Sequence, residues 1–377
     1  MADAELARTP LADLHDAMNA RMVGFAGYAL PVQYPAGVLR EHLHCREAAA
    51  LFDVSHMGQI EVPAHAAAAL EALMPTDLLG LAPGRQRYAV LTTPEGGVID
   101  DLMIARLADR FLLVVNAARK AVDFAHLQAH LGASDGIEAK LLQDRALIAL
   151  QGPAAVTALA RHAPEIAQMR FLDVREIQLA GTACILSRAG YTGEDGFEIS
   201  VPAGAAAELA RLLLDELEVE PAGLGARDSL RLEAGLCLYG AELDETISPV
   251  EAGLAWALPK LRRRGGARAG GFPGAERILA ELADGPSRRR VGLRPEGRAP
   301  IRGGAALFAT ADEASDAAIG AISSGGFGPS LGAPIAMGYV PQDLAAPGTR
   351  LFAALRGRRE PVTVAPLPFH PAGYKRN

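Results

Sequence analysis

The sequence predicts a mixed α and β fold that ends in a small antiparallel β-barrel. With 377 residues the chain is longer than one compact core of ordinary size, so we expect more than one domain. Helical patterns alternate with strand-like runs before about residue 280, whereas short strands between Gly/Pro turns follow after about residue 288. We therefore predict an α and β region at 1–284 and a barrel domain at 285–377.

The periodicity of the apolar residues predicts the individual elements. In the first region, helical spacing occurs at 65–73 and 205–217, and strand-like runs occur at 87–93, 110–115, 146–152 and 182–188. The predicted barrel strands are 289–295, 305–309, 319–327, 336–341, 349–356 and 361–369. The Gly/Arg-rich stretch 261–275 has neither pattern, and we expect an exposed connection there.

Composition and charge argue against several classes of protein. A net charge of −7 and a pI near 5.8 give no overall attraction to nucleic acid or to an anionic membrane. No apolar run approaches the roughly 20 residues of a membrane helix, and no dinucleotide or Walker motif follows a strand. Residues 1–21 mix acids with bases and the three cysteines lie far apart, so we expect a cytoplasmic protein without disulfides.

The first of four segments with candidate chemical roles is FDVSHMGQIEV at 52–62. A polar Ser-His-Met-Gly turn interrupts two apolar strands there, and this arrangement would place His56 and Met57 at a strand end. A lone histidine in a turn is more often structural than functional, so both interpretations stay open.

The second segment, TPEGGVIDDLMIARL at 93–107, contains two glycines and two adjacent carboxylates before a strand. Because side chains alternate along a strand, Asp100 and Asp101 should face opposite sides. One carboxylate would then point inward, which is costly unless it has a cationic or hydrogen-bonding purpose. The alternative is a turn that ends in solvated acids.

In the third segment, SRAGYTGEDGFEISVP at 187–202, an aromatic turn leads into a strand. Phe197 and Ile199 would share an apolar face, and Glu198 would face the other side. A carboxylate beside an aromatic ring suits a pterin, whose aminopyrimidine edge presents two parallel N–H donors. An ordinary surface glutamate would give the same pattern.

The fourth segment, GLGARDSLRLEAGLCLYG at 223–240, predicts a helix with Arg227 near its amino terminus. Arg227 and Arg231 are four residues apart and should share a face. They could bind the glutamate tail of a folate, or an internal acid in a structural ion pair.

The histidines elsewhere do not predict a metal site. His126 and His130 are four apart without a third ligand, and His42, His44 and Cys45 would leave one helix in different directions. We therefore predict that the protein holds no metal.

Taken together, FDVSHMG, GGVIDDL, GYTGEDGFEIS, GLGARDSLRLEAGLCLYG and SPVEAGLAW resemble the T-protein, or aminomethyltransferase, family of the glycine cleavage system. The similarity runs from about residue 10 to Tyr374 and includes QYPAGVLREH, RRRVGL and SGGFGPSLGAPIAMGYVP. It implies an α+β fold of three domains in a ring. Two interleaved α+β domains, one of them ferredoxin-like, would precede a carboxy-terminal β-barrel.

The resemblance also implies an activity. In this family an aminomethyl group on the lipoyl arm of H protein passes its carbon to tetrahydrofolate, and ammonia is released. H protein with its lipoyl group would be the partner, and tetrahydrofolate the co-substrate. Asp101 would be the catalytic carboxylate, and the folate pocket would consist of Met57, Tyr88, Asn116, Tyr191, Glu198, Arg227 and Tyr374.

The sequence departs from the family pattern in two places. Tyr28 stands where the family often has Trp, and the linker around 265–272 is unusually rich in Gly and Arg.

Three rival classes of protein are related to this family. A flavin-linked demethylase would need a dinucleotide-binding domain that the sequence lacks. A folate-dependent demethylase of dimethylsulfoniopropionate shares the fold, and non-enzymatic folate-binding iron–sulfur assembly factors carry a cysteine where this chain has Gly190.

Two runs of arginines are candidates for docking an acidic H protein, although the chain as a whole carries a net negative charge. They are Arg262, Arg263 and Arg264, and Arg288, Arg289 and Arg290. The alternative is that these arginines are merely solvated.

Overall fold

The computed structural model describes residues 6–132, 137–312 and 317–376, and these residues form twenty strands, eight α-helices and five short 3-10 helices. The α-helices are α1 (Ala12–Ala17), α2 (Val38–Glu47), α3 (Ala67–Glu71), α4 (Lys120–Leu131), α5 (Ala155–Ala160), α6 (Ala203–Leu214), α7 (Leu224–Glu233) and α8 (Ala275–Asp284). The 3-10 helices are Ala64–Ala66, Pro164–Gln168, Ala255–Ala257, Lys260–Arg262 and Gln342–Leu344. Within the described ranges no helix has the length and apolar character that spanning a membrane requires.

Fourteen of the strands precede the barrel. They are β1 (Ala7–Arg8), β2 (Arg21–Phe25), β3 (Tyr28–Gln33), β4 (Ala49–Asp53), β5 (Gly58–Pro63), β6 (Arg85–Thr92), β7 (Val98–Arg106), β8 (Arg110–Val115), β9 (Lys140–Leu141), β10 (Arg145–Gln151), β11 (Val174–Leu179), β12 (Thr182–Ser187), β13 (Gly196–Pro202) and β14 (Val219–Pro221). They build a three-stranded sheet in the order β1-β3-β2, a six-stranded sheet β11-β12-β13-β10-β4-β14 and a five-stranded sheet β6-β7-β8-β5-β9.

All strands of the five-stranded sheet lie in the chain between β4 and β10, which are neighbours in the six-stranded sheet. β4 and β10 pair antiparallel, with Asp53 opposite Ile148, although β5 to β9 lie between them in sequence. All five residues of β4 are buried, because the sheet is covered on both faces. Leu51 belongs to the core on one face and Phe52 to the core on the other. The Ser-His-Met-Gly turn therefore leads from one sheet into the other, and it begins at a strand end as predicted.

The carboxy-terminal strands close into the predicted barrel. They are β15 (Arg288–Pro295), β16 (Ala306–Phe308), β17 (Gly320–Gly328), β18 (Ala333–Pro341), β19 (Arg350–Leu355) and β20 (Arg358–Ala365), in the order β15-β18-β17-β16-β19-β20. Closure leaves no unpaired sheet edge. The buried core consists of Val291, Leu293, Ile301, Leu307, Ile322, Ala336, Val340, Leu351, Ala353, Val362 and Val364. The division of the chain between residues 284 and 285 stays a prediction.

The stretch 261–275 is not the exposed connection that its composition predicts. Arg262 is buried and its Nη1 donates to Glu71 Oε1 at 3.2 Å, while Arg268 Nη1 donates to the same oxygen at 2.6 Å. Phe272 is also buried, in a cluster with Leu258 and Ile278. The arginines neutralise a buried carboxylate, so Gly/Arg-rich composition here encodes turns and internal ion pairs.

An internal ion pair joins α7 to the barrel. The Arg231 guanidinium donates to Glu242 Oε2 at 2.9 Å and to the hydroxyl of Ser324, on β17, at 2.9 Å. Ser323 donates to the other Glu242 oxygen at 2.5 Å. Both charged side chains are almost fully buried. Of the two interpretations open for Arg231, the structural ion pair is therefore the one found.

Removing Arg231 should destabilise the fold, because Glu242 would be left buried without its cation. We expect Arg231→Leu to lower the free energy of unfolding by about 3–5 kcal/mol in urea denaturation, and Arg231→Leu/Glu242→Leu to recover part of that loss. Arg350→Leu is the matched control, since Arg350 pairs with Glu296 at an exposed site and should cost less than about 1 kcal/mol. Equal losses at the two sites would show that burial does not set the cost.

Candidate active site

The turn before β7 has a shape that requires its two glycines. Gly96 has a φ of +84°, and a Cβ on Gly97 would lie 1.7 Å from the carbonyl oxygen of Glu245. Side chains are therefore excluded at both positions. The segment 234–254 can pack directly on the start of β7, where the two aspartates follow.

Asp101 is held by two hydrogen-bond donors from the neighbouring strands. β6 pairs with β7 so that Val90 lies opposite Asp101, and Tyr88 is two residues away along β6. The Tyr88 hydroxyl donates to Asp101 Oδ2 at 3.0 Å. Asn116, the residue after β8, donates from Nδ2 to Asp101 Oδ1 at 2.9 Å. The carboxyl group is thereby fixed at both oxygens.

Strand alternation predicts that Asp100 and Asp101 lie apart, but both carboxyl groups reach Asn116. Asn116 Nδ2 also contacts Asp100 Oδ1 at 2.9 Å, and the Asn116 backbone N–H donates to Asp100 Oδ2 at 3.0 Å. Asp100 is fully buried, so it is not a solvated turn residue. The physical reason is the position of Asn116, since at the end of β8 its side chain and backbone can serve both acids.

Burial makes this cluster unusually reluctant to ionise. Burial, and then the charge of Asp100, raise the pKa of Asp101 to about 7, although the bonds from Tyr88 and Asn116 act in the opposite direction. The pKa of Asp100 rises to about 9, again mainly through burial and next through Asp123. Asp101 is therefore protonated below pH 7 and becomes a carboxylate as the pH rises through 7.

A second group of predicted residues comes together around Arg227. Phe197 and Ile199 point into the core, and Glu198 lies on the other face of β13, as predicted. The guanidinium of Arg227, in the first turn of α7, lies over the Tyr191 ring at 4.8 Å. Burial raises the pKa of Glu198, and the charge of Arg227 partly offsets this shift. The Tyr191 hydroxyl donates to the carbonyl oxygen of Cys237.

Arg227 has unused hydrogen-bonding capacity. Its Nη1 atom is buried and has no partner among the described residues. Burial lowers the pKa of Arg227, and the Glu198 carboxylate opposes that shift. A buried guanidinium nitrogen without an acceptor is costly, so this group can accommodate a polar ligand between an acid, a cation and an aromatic ring.

His56 and Met57 lie beside this group. Met57 packs against the cluster that contains Phe52 and Val54. His56 is buried with its Nδ1 unpartnered within the described ranges, and its ring meets Phe25 edge-on at 5.6 Å. Burial, and then the charge of Arg227, lower the pKa of His56 to about 4, so the imidazole is neutral at physiological pH.

Tyr374 makes its described contacts with other segments of the chain. Its ring stacks on Phe171 with centroids 4.2 Å apart, and the N–H of Gly373 donates to the Gly193 carbonyl at 2.8 Å. The tail is therefore attached to the turn that carries Tyr191. The contacts described for Tyr374 do not bring it to Asp101 or Glu198.

Sequence reasoning missed two residues of the site. Trp256 is 64% exposed, and its ring centroid is 5.1 Å from that of Tyr88. The signal was present, since SPVEAGLAW ends in the one tryptophan of the sequence. Asp123, on α4, is buried against Asp100, and nothing in the local pattern of a helix indicates such a long-range contact.

The two basic runs do not form the free patches predicted for docking. Arg262 is buried, Arg263 donates to the carbonyls of Leu258 and Ala255, and Arg288 pairs with Glu251. Arg290 donates to the carbonyls of Ala252 and Gly235. Arg264 and Arg289 are the exposed members. Most of these arginines satisfy internal acceptors, which a count of charges cannot reveal.

Metal-ligating side chains are not gathered in the part of the chain that the structure describes. No group of three or more His, Cys, Asp or Glu side chains is placed to hold a metal ion there. His42 Nε2 lies 3.1 Å from Glu233 Oε2, and His126 and His130 stack on each other with centroids 4.3 Å apart. His42 therefore has a carboxylate partner and His130 a carbonyl partner, whereas the buried Nε2 of His126 has none among the described residues.

Comparisons with known proteins give one consistent result. The model of the GCVT N-terminal domain matches residues 11–261, and that of the glycine cleavage T-protein C-terminal barrel domain matches residues 288–370. The mitochondrial aminomethyltransferases of Flaveria trinervia and Dictyostelium discoideum are 44% and 41% identical, over 99% of this chain and 91% and 94% of theirs. The crystal structure of glycine cleavage system aminomethyltransferase T from Bartonella henselae is 44% identical, with a TM-score of 0.91 over 99% of this chain and 100% of that one.

The expected cytoplasmic location is wrong. These curated relatives, and that of Schizosaccharomyces pombe, are labelled mitochondrial. The expectation rested on the mixture of acids and bases in residues 1–21, and such a mixture does not decide the compartment.

The resemblance found in the sequence and the fold class that it implies are both confirmed. The two family models together span most of the chain, and identity above 40% extends over nearly its full length. The solved structure matches it in mixed α and β content and in the terminal barrel. The chain belongs to the glycine cleavage T-protein family of aminomethyltransferases.

Proposed function

We propose that this chain transfers the carbon of an aminomethyl group from the lipoyl arm of H protein to tetrahydrofolate, with release of ammonia. The observation that carries the proposal is the proximity of two arrangements, because burial and also the charge of Asp101 raise the pKa of Tyr191. One is a carboxyl group with a pKa near neutrality, fixed by Tyr88 and Asn116. The other is a buried acid, cation and aromatic group with an unpartnered guanidinium nitrogen.

Glu198, Tyr191 and Arg227 would hold the folate. The two oxygens of Glu198 match the parallel N–H donors on the aminopyrimidine edge of a pterin. Arg227 Nη1, which lacks an acceptor among the described residues, would receive one from the folate. Met57, Tyr88 and Asn116 would line the pocket, and Tyr374 would contact the outer part of the folate from the carboxy-terminal tail.

Asp101 would perform the chemistry at the transferred carbon. When the lipoyl thiolate departs, that carbon becomes positively charged and iminium-like, and a nearby carboxylate stabilises it. The same carboxylate can orient or deprotonate the attacking folate nitrogen, for which a pKa near the working pH is favourable. An apolar surrounding strengthens the first effect and limits hydrolysis of the one-carbon unit.

Gly190 argues against the non-enzymatic iron–sulfur assembly class. A Cβ at this position would lie 1.7 Å from Gln151 Oε1. Gln151 is fully buried, and its amide is fixed by bonds to the Ala189 carbonyl and from the Thr192 hydroxyl, each 2.9 Å long. The cysteine that characterises that class therefore has no room in this packing.

Asp101→Asn should cut turnover while preserving the fold and most of the folate affinity. The substitution keeps the size of the side chain but removes the negative charge that an iminium-like transition state needs. A loss of about 100- to 1000-fold in rate is expected for one preorganised electrostatic group. The assay is folate-dependent ammonia release with saturating aminomethyl-loaded H protein, with thermal unfolding measured in parallel.

The control for this variant cannot be Asp100→Asn, because Asp100 is buried and bonded to Asn116. Asp109→Asn is better matched, since Asp109 is exposed in the β7–β8 hairpin at the opposite end of the same strand. It should leave turnover unchanged. Near-normal turnover in Asp101→Asn would remove Asp101 from the proposed role.

Glu198→Gln should weaken folate binding more than chemistry, because its hydrogen bonds would be made in both the ground and transition states. The substitution turns one acceptor into a donor that faces another donor. Calorimetry should show a loss of roughly 1–3 kcal/mol in tetrahydrofolate affinity, with turnover at saturating folate nearly retained. Glu208→Gln, at an exposed position of α6, should bind normally. Unchanged binding in Glu198→Gln would mean that the pterin lies elsewhere.

A further inference from the structure

Two buried carboxyl groups, those of Asp100 and Asp123, interact with each other next to Asp101. Asp100 on β7 and Asp123 on α4 are both 0% exposed, and Asp123 lies close enough to Asp100 to add, after burial, to the rise in the pKa of Asp100. Two carboxylates this close in a buried site cannot both ionise at neutral pH without a compensating cation or donor.

Hydrogen-bond donors are distributed unequally over this pair. Both oxygens of Asp100 accept bonds from Asn116, at 2.9 and 3.0 Å. Neither oxygen of Asp123 has a donor among the residues that the structure describes. The N–H of Asp123 itself bonds to the Arg119 carbonyl at 2.9 Å and is not available. A proton between the two carboxyl groups would supply the missing donor.

Arg119 is the rival explanation, because its charge acts on Asp123. Its guanidinium is directed elsewhere, however. Nη2 donates to Glu245 Oε1 at 2.6 Å, and the group lies over the Tyr239 ring at 5.1 Å. Its buried Nε has no partner within the described ranges. The charge of Arg119 therefore opposes the rise that burial causes in the pKa of Asp123, without a hydrogen bond to the Asp123 carboxyl group.

We propose that Asp100 and Asp123 share one proton at neutral pH, which makes Asp123 a positioning residue for Asp101. The shared proton leaves the pair with one negative charge instead of two. Asp100 then remains in place as the acceptor for both nitrogens of Asn116, and Asn116 in turn holds Asp101. The role toward Asp101 rests on the proposed function, whereas the location of the proton does not.

The acidities of the pair agree with this arrangement. Burial, and then Asp123, raise the pKa of Asp100 to about 9, and burial raises the pKa of Asp123 to about 6. Both groups thus hold protons more tightly than ordinary aspartates, and they titrate as one unit. The charged and titratable groups that face the pair are Asp101 and Tyr88 from the sheet, Arg119 from the position just before α4, and Tyr239 and Glu245 from the segment 234–254.

The first test uses the wild-type chain without substrates. Infrared spectra of protein labelled with ¹³C at the aspartate carboxyl groups distinguish a protonated acid from a carboxylate. At pH 8 ordinary aspartates, with a pKa near 3.9, are ionised. We expect one protonated aspartate signal to persist there and to disappear in both Asp123→Asn and Asp100→Asn. The exposed-site variant Asp109→Asn should retain it.

Two spectroscopic outcomes would overturn the shared proton. One is the absence of any protonated aspartate in the wild type at pH 8, which would mean that Arg119 compensates two carboxylates. The other is a signal that survives in Asp123→Asn, which would mean that the proton belongs to another group alone. The wild-type measurement decides the first point even if a variant fails to fold.

The pH dependence of turnover tests the positioning role. In Asp123→Asn the amide can donate to Asp100, so the negative charge that was shared becomes concentrated beside Asp101. The pKa of Asp101 should rise. The acid limb of the pH profile, where turnover falls as the pH decreases, should therefore move to higher pH by roughly half a unit. A purely structural role would lower stability or rate at all pH values without moving the limb, and an unmoved limb contradicts the proposal.

Different results would contradict the proposed role of Asp101 and the proposed proton between Asp100 and Asp123. If Asp101→Asn kept normal turnover, the proposed function would fail, while the infrared signal could still be present. If the signal were absent but Asp101→Asn lost turnover, the shared proton would be wrong and the role of Asp101 would stand.

Discussion

The pairing of β4 with β10 is the constraint on which the candidate site depends. These strands are neighbours in the six-stranded sheet, although the whole five-stranded sheet is inserted between them in the chain. The chain must therefore cross between the sheets twice, once after Asp53 and once before Arg145. The first crossing contains His56 and Met57. It brings them to Arg227 of α7, which packs on β4 through the cluster of Phe52, Ala226 and Leu230.

The second principle of the site is the supply of hydrogen-bond donors to buried acids. Asp101 has two donors, Asp100 has the backbone and side chain of Asn116, and Asp123 has none among the described residues. The number of donors therefore differs among the three aspartates, and this difference helps to give chemically identical carboxyl groups different pKa values. The group with Tyr88 and Asn116 ionises near neutrality, whereas the pair behind it keeps a proton in the arrangement that we propose.

The parts of the fold that depend on local pattern could be predicted from the sequence. Apolar runs gave β8, β10 and β12 within one or two residues, and regular Gly/Pro turns gave the six barrel strands. The alternation of Phe197, Glu198 and Ile199 also placed the glutamate on the correct face. These predictions succeed because the burial of alternate residues in a strand is written directly in the chain.

Contacts between distant segments could not be predicted in the same way. Nothing near Asp100 indicates that Asn116 and Asp123 will surround it, and nothing near 261–264 indicates that Arg262 will bond to Glu71. In each case the partner that makes burial of the charged side chain possible lies far along the chain. The family resemblance predicted residues of a folate pocket, but it did not predict Asp123, the buried acid that acts on Asp100.

The central claim is that Asp101 acts as a carboxylate whose burial raises its pKa to about 7. It is tested most directly by the pH dependence of single-turnover transfer from aminomethyl-loaded H protein to saturating tetrahydrofolate in the wild type. In the role that we propose for Asp101 the deprotonated form is the active one, so the rate should rise with pH through a single limb with an apparent pKa near 7. A rate that stays constant down to about pH 5, where an ordinary aspartate is still ionised, would contradict the claim.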